Sequence, residues 1–250
     1  MAFQPIGSVA LAKEQIAVAI SHGAFGSHLG IGYQTQSEGP QLLHLRFHKD
    51  LKCESISTGL SLCWIMCVVQ VPPSASKQLV AIVRSIAATM PVICYGLNIL
   101  SGHGSFDAMG RYVAPVGSLG LTCSTFVTEI FRAYALPLVD ESTWQAADEN
   151  LAWAERVCTM LQERGADDHH IQAVKSDANG LRMRPEEVSA AADSPFTSRP
   201  LDFASAQPLA SAVTVRLGDL CPNPNPRTQR GVITNLIDFV FQSRKRSTRT

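Results

Sequence analysis

The sequence predicts an α+β fold, and three observations carry that reading. Three short apolar segments, HLGIGYQT (28–35), QLLHLRFH (41–48) and LSLCWIMCVVQV (60–71), read as strands. Two stretches with helical spacing follow them, PPSASKQLVAIVRSIAATM (72–90) and the cysteine-headed GLTCSTFVTEIF (120–131). Beyond about residue 140 the chain turns helical and then proline-rich. Clustered strands followed by clustered helices are the pattern of an α+β architecture. The division drawn from this is a core over 1–140 and a helical, proline-rich region over 141–250, either accessory or part of the same domain.

Taken in order, SVALAKEQIAVAIS (8–21) is expected to be a helix, with Val9, Ile16, Val18 and Ile20 as its contacts, broken by the glycines of SHGAFGSH. The strands at 28–35 and 41–48 are separated by SEGP and form a hairpin, and KDLKCESIST is a polar connection to the third strand. That third strand is apolar on both faces and belongs inside a sheet covered on both sides. The helix at 72–90 opens on prolines and carries Leu79, Ile82, Val83 and Ile86 on one stripe. A glycine-dotted loop leads to the helix of Cys123, whose apolar positions are Phe126, Val127, Ile130, Phe131 and Tyr134. ESTWQAADENLAWAERVCTMLQERG is a long helix with Trp144, Leu151, Cys158 and Leu161 as contacts, stopping at Gly165. DDHHIQAVKS is a second helix, residues 180–230 are loop or short helix, and ITNLIDFVF is a last helix before a basic tail.

Composition narrows the function classes. With 250 residues, 46% of them hydrophobic, the chain can bury a sizeable core. Twenty-one basic and 21 acidic residues cancel, so no net field steers the protein to nucleic acid, and neither nucleic acid nor a membrane-spanning segment is expected. Arg244, Lys245, Arg246 and Arg249 cluster at the tail and read as a solvated terminus. MAFQPIGSVALAKEQ lacks the pattern of a secretory signal, which makes a cytoplasmic product the default and export without a signal peptide the alternative. Seven cysteines, an odd number without the two-residue spacing of a zinc knuckle, are expected as reduced thiols, with Cys63 and Cys67 in the core.

The chemistry concentrates at Cys123. A helix capped at Thr122 puts this residue in the first turn, where unpaired N–H groups and the positive end of the helix dipole favour thiolate and can bind an oxyanion. A thiolate that cleaves acyl bonds needs a proton carrier. His28 and His44 lie on the two strands of the hairpin, so one imidazole can act as acid/base while the other orients it. A buried thiol and a strand histidine with a satisfied hydrogen bond are the ordinary readings of these residues taken singly. His48 is read as surface, His22, His169 and His170 as residues of polar or turn segments, and His103 as a loop residue. A zinc site from His44, His48 and Cys53 is secondary, because His44 and His48 stand about 13 Å apart along a straight strand.

Over roughly residues 22–136 the chain resembles the NlpC-type papain-fold cysteine peptidases. HLGIGYQTQSEGPQLLHL is similar to their histidine strand and the strand after it, and LTCSTFVTEIF to their nucleophile segment. The order is reversed, histidines before cysteine, as in the circularly permuted branch that includes the lecithin retinol acyltransferase-like proteins. The resemblance implies a papain-like antiparallel sheet packed on the cysteine-bearing helix. It implies Cys123 as nucleophile, His28 as acid/base, His44 as the orienting residue, and Tyr95 of CYGLN beside the nucleophile. It implies no cofactor or metal, and a peptide or acyl substrate such as a cell-wall peptide amide. The expected activity is that of a cysteine hydrolase working through an acyl-enzyme. An acyltransferase or thioesterase of the same fold, and a papain-fold binding module without turnover, remain as alternatives.

Overall fold

The computed structural model describes residues 1–222 apart from 24–25, 36, 38, 59, 61 and 101–103. The ITNLIDFVF helix, the basic tail and His103 therefore lie outside the described residues. The strands are β1 (Gln4–Pro5), β2 (Ile16–Gly23), β3 (Gly26–Tyr33), β4 (Gln41–Phe47), β5 (Asp50–Ser55), β6 (Trp64–Val68), β7 (Ser105–Phe106) and β8 (Tyr112–Val113). The helices are α1 (Pro73–Thr89), α2 (Cys123–Arg132), α3 (Asp148–Glu163), α4 (Asp168–Asp177), α5 (Pro185–Asp193) and α6 (Phe203–Leu220). Six strands form one antiparallel sheet in the order β1-β6-β2-β3-β4-β5, and β7 pairs with β8 apart from it. The fold is α+β, as the clustering of strands and helices predicts.

Alternation along the strands assigns the two faces. Ile16, Val18 and Ile20 of β2, Leu29 and Ile31 of β3, Leu43 and Leu45 of β4 and Ile65 of β6 enter the main core. Ala17 and Ala19, Leu42, Trp64 and Met66 form a second cluster on the opposite face. The main core is closed by apolar residues of α1, α2 and α5, with Ala190, Ala191 and Ala192 of α5 small enough to let that helix lie close. A third cluster packs Tyr95 and Leu97 against Ala154, Val157, Cys158 and Leu161 of α3 and Ile171 and Val174 of α4. Helices from beyond residue 140 thus share the core of the preceding residues.

Several expectations are corrected. The segment 8–21 is not a helix, since β2 begins at Ile16 and pairs Ile16–Gly23 with Gly26–Tyr33. Its apolar residues fit a two-residue period as well as a helical one, and β-branched Ile16, Val18 and Ile20 favour the pleated solution once β3 and β6 lie alongside. KDLKCESIST is no connection, because Asp50–Ser55 is β5, paired with β4. Phe203–Leu220 is a full helix of 18 residues with Pro208 inside it, where only loop or short helix is expected. Helix α2 ends at Arg132, leaving Tyr134 outside, and Leu151 is 43% exposed rather than a contact of α3. Trp144 precedes α3 and donates from its indole N–H to Glu187 of α5 at 3.0 Å.

The thiols also depart from expectation. Cys63 is exposed and joined by a disulfide to Cys221, just past α6, whereas Cys67 is buried in the main core. Their apolar setting in sequence does not distinguish the two, but β6 starts at Trp64, and Cys63 falls outside the ladder. No helix among the described residues is long and apolar enough to cross a membrane.

Candidate functional site

Helix α2 starts where its cap chemistry requires. Thr122 Oγ1 accepts from the Thr125 N–H at 3.1 Å, and the Thr122 N–H donates to Thr125 Oγ1 at 2.8 Å. This reciprocal pair satisfies two donors and fixes Cys123 as the first residue of the helix. Cys123 is only 6% exposed. Burial pushes its thiol up, opposed by the Leu29 N–H acting as a donor toward the sulfur, by the Ser124 side chain and by the charge of Arg182. The expected thiolate is thus corrected: desolvation outweighs the helix terminus, and the resting sulfur is a thiol.

Strands β3 and β4 bring the two histidines together. Their ladder runs only over Ile31–Tyr33 against Gln41–Leu43, so the strands are unpaired where His28 and His44 stand. Gly30 lies between: a Cβ there would come within 2.9 Å of the Leu42 side chain and 3.0 Å of the His44 Cβ. Only a residue without a side chain lets His44 lie against β3 and reach His28. His28 Nε2 and His44 Nδ1 are 2.8 Å apart, and His44 Nε2 is 3.0 Å from Glu54 Oε2 on β5. Trp64 meets both imidazoles edge-on, with ring centroids 5.5 and 5.3 Å away.

This chain of bonds sets the proton positions. A carboxylate only accepts, so His44 Nε2 carries a hydrogen and donates to Glu54. Neutral His44 then has a bare Nδ1, which accepts from His28 Nε2–H. His28 is left with a lone pair on Nδ1. Burial, and after it the charges of His44 and Arg46, hold the His28 pKa down at about 3, so the ring is neutral over the ordinary pH range.

Tyr95 comes to Cys123 by a different route. Cys94 accepts at its carbonyl from the Leu121 N–H at 3.0 Å, laying residues 94–96 beside 119–121. Gly120 has φ +104°, and a Cβ on it would stand 2.0 Å from the Cys94 oxygen. Gly96 is as crowded, 2.7 Å from the Leu119 carbonyl carbon. These two glycines allow the contact that brings the Tyr95 phenol against Cys123. Burial raises the phenol pKa well above its usual value, and the Cys123 N–H and sulfur both lie within its hydrogen-bonding reach.

The structure thus joins His28 to His44, and Tyr95 to Cys123. The two pairs adjoin at Leu29, the residue after His28, whose N–H faces the sulfur. No bond between the Cys123 sulfur and the His28 ring is formed among the described residues. His28 and His44 are rooted on the face of the second cluster, whereas α2, which carries Cys123, packs on the other.

Further groups border the site that the sequence does not single out. Glu54 completes the histidine chain and Trp64 packs on it. The Arg182 guanidinium stands 4.1 Å over the Trp153 ring, and its charge acts on both Cys123 and Tyr95. Glu186 opposes that charge and accepts from Ser27 Oγ. His48 and His170, read as surface and polar-segment residues, instead bond the backbone of Tyr95. Among the described residues no three of His, Cys, Asp or Glu are grouped to hold a metal ion. Compared with protein-family profiles, curated proteins and solved structures, the chain matches none of them.

Proposed function

We propose that this chain is a cysteine hydrolase, a papain-like domain in permuted order, that cleaves an amide or ester carbonyl through an acyl-enzyme on Cys123. The observation that carries the reading is the His28–His44–Glu54 chain, which leaves a bare His28 Nδ1 on the residue adjoining the N–H that faces the sulfur. The thiol proton passes to His28 Nδ1 as the sulfur bonds to the carbonyl carbon. The imidazolium formed is held by His44 and Glu54. The carbonyl oxygen, now an oxyanion, accepts from the Cys123 N–H and the Tyr95 O–H. Collapse breaks the bond to the leaving group, which departs with the proton from His28 and leaves a thioester. Water, giving a proton to His28, attacks that thioester; the acid is released and the sulfur takes the proton back. Catalytic hydrogen bonds often close only when substrate is bound, and the sulfur-to-imidazole transfer proposed here is one of these.

The substrate proposed is a peptide amide, with transfer to an acceptor other than water as the variant of the same chemistry. The Cys63–Cys221 bridge supports an oxidising destination for the protein. Incubation with p-nitrophenyl acetate tests the reading: a burst of nitrophenol equal to the enzyme, with the acetyl group on Cys123 by mass spectrometry, is expected. Cys123→Ala should abolish the burst. His28→Ala should lower its rate by about 10²- to 10⁴-fold, the range of general base catalysis, and Glu54→Gln by less. The buried, raised thiol favours one other reading, a binding module without turnover. Absence of any acetyl-Cys123 would decide for that module.

A further inference from the structure

Residues 91–99 belong to no helix or strand, so their backbone groups need partners from elsewhere. The Ile93 carbonyl takes the Lys49 N–H at 2.8 Å and the Cys94 carbonyl the Leu121 N–H at 3.0 Å. The next residue is held by side chains. The Tyr95 N–H donates to His48 Nδ1 at 3.2 Å, and His170 Nε2 donates to the Tyr95 carbonyl at 3.1 Å. The two imidazoles lie 4.8 Å apart, one at the end of β4 and the other on α4, so Tyr95 is gripped from both sides. Phe47 packs on the phenol ring with centroids 4.8 Å apart.

Resting on the reading above, we propose that His48 and His170 are positioning residues, which hold the Tyr95 backbone so that its hydroxyl meets the developing oxyanion at Cys123. Helix α4 thereby belongs to the catalytic apparatus rather than to an appendage. The grip needs an acceptor at His48 Nδ1 and a donor at His170 Nε2. His48 stays neutral and so keeps its acceptor, because burial, then the charges of His170 and Lys49, lower its pKa to about 4.

Two reactions of Cys123 in the full chain separate this role from plain folding. Acetylation by p-nitrophenyl acetate passes through an oxyanion, whereas alkylation by iodoacetamide does not. His48→Leu and His170→Leu should each slow acetylation about 10- to 100-fold, the effect of a displaced catalytic group, with alkylation unchanged. The polar replacements should act crosswise. Asn places its oxygen where Nδ1 was, so His48→Asn keeps the rate and His48→Gln does not; Gln places its nitrogen where Nε2 was, so His170→Gln keeps it and His170→Asn does not. In a Tyr95→Phe background, neither leucine substitution should cost anything more. Parallel loss of both reactions, no crossed pattern between Asn and Gln, or costs that add to that of Tyr95→Phe would overturn the proposal. Should a leucine variant fail to fold, the Asn and Gln pairs decide alone. Wild-type chain that gives no acetyl-Cys123 removes the hydrolase reading and this inference together, while acetylation indifferent to all these substitutions removes only the inference.

Discussion

Two histidines with depressed pKa values make a prediction at the scale of single residues. His28 and His48 ionise at about 3 and about 4 in the folded chain, below the 6.5 that an exposed imidazole shows. As pH falls below 6.5 the unfolded chain binds protons that the native state refuses, so stability declines, and each ring stops contributing to the decline once pH passes its folded value. The stability conferred by neutral rings is thus fully present above about pH 6.5 and lost on acidification. Thermal unfolding followed between pH 7 and pH 4 should show a falling midpoint, and His48→Asn, which does not titrate, should make the fall shallower. A midpoint constant over that range would contradict the assignment of buried neutral rings. Sequence alone shows that His28 and His44 share a hairpin, since each lies in an apolar run with strand character. It does not show Glu54, because that residue faces His44 only when β5 pairs with β4, Leu42 opposite Glu54 and His44 opposite Lys52. Nor does it show the thiol's raised pKa: the cap and dipole at Cys123 are local, while the burial that outweighs them comes from the sheet.

Among the elements, the pairing of residues 94–96 with 119–121 is the most exposed to a single change. Gly120→Ala would require a residue with φ +104° to place its Cβ 2.0 Å from the Cys94 oxygen, so the two segments must part. A loss of about 2–4 kcal/mol in a denaturant titration is expected, combining left-handed strain with overpacking. Cys123 acetylation should fall with it, as Tyr95 withdraws from the sulfur. Stability within about 0.5 kcal/mol of the parent, the usual effect of a bland surface change, would show that the segments are not wedged together. The elements most legible from sequence are those with one unambiguous period. Helix α1 buries Leu79, Ile82, Val83 and Ile86 as its stripe predicts, and α2 starts at its threonine cap. The errors fall where two periods fit. Over 8–21 the apolar spacing is compatible with helix and strand, and the choice is made by the neighbours β3 and β6, which a single segment does not reveal. Helix α6 is hidden by the proline at 208, since a proline inside a pattern argues for a break.

For the molecule as a whole, the C-terminal helices are structural members of the core and not an outlying unit. Helix α5 supplies Val188 and Ala190–Ala192 to the main core, and α6 adds Ala206, Val213 and Leu217. The Cys63–Cys221 disulfide ties the entry of β6 to the end of α6 across a sequence separation of 158. Closing so long a loop in the unfolded chain stabilises the fold by about 2–5 kcal/mol. Cys63→Ser should therefore lower the unfolding free energy by that amount and give the same result as Cys221→Ser, since either leaves one thiol. Unequal losses would mean that one cysteine acts through something other than the bridge. The same bond has a consequence for how the protein breaks. A single cut anywhere between residues 63 and 221 leaves two pieces that one covalent link still holds. A nicked sample would run on a denaturing gel as one species and separate into two bands only after a reducing agent is added.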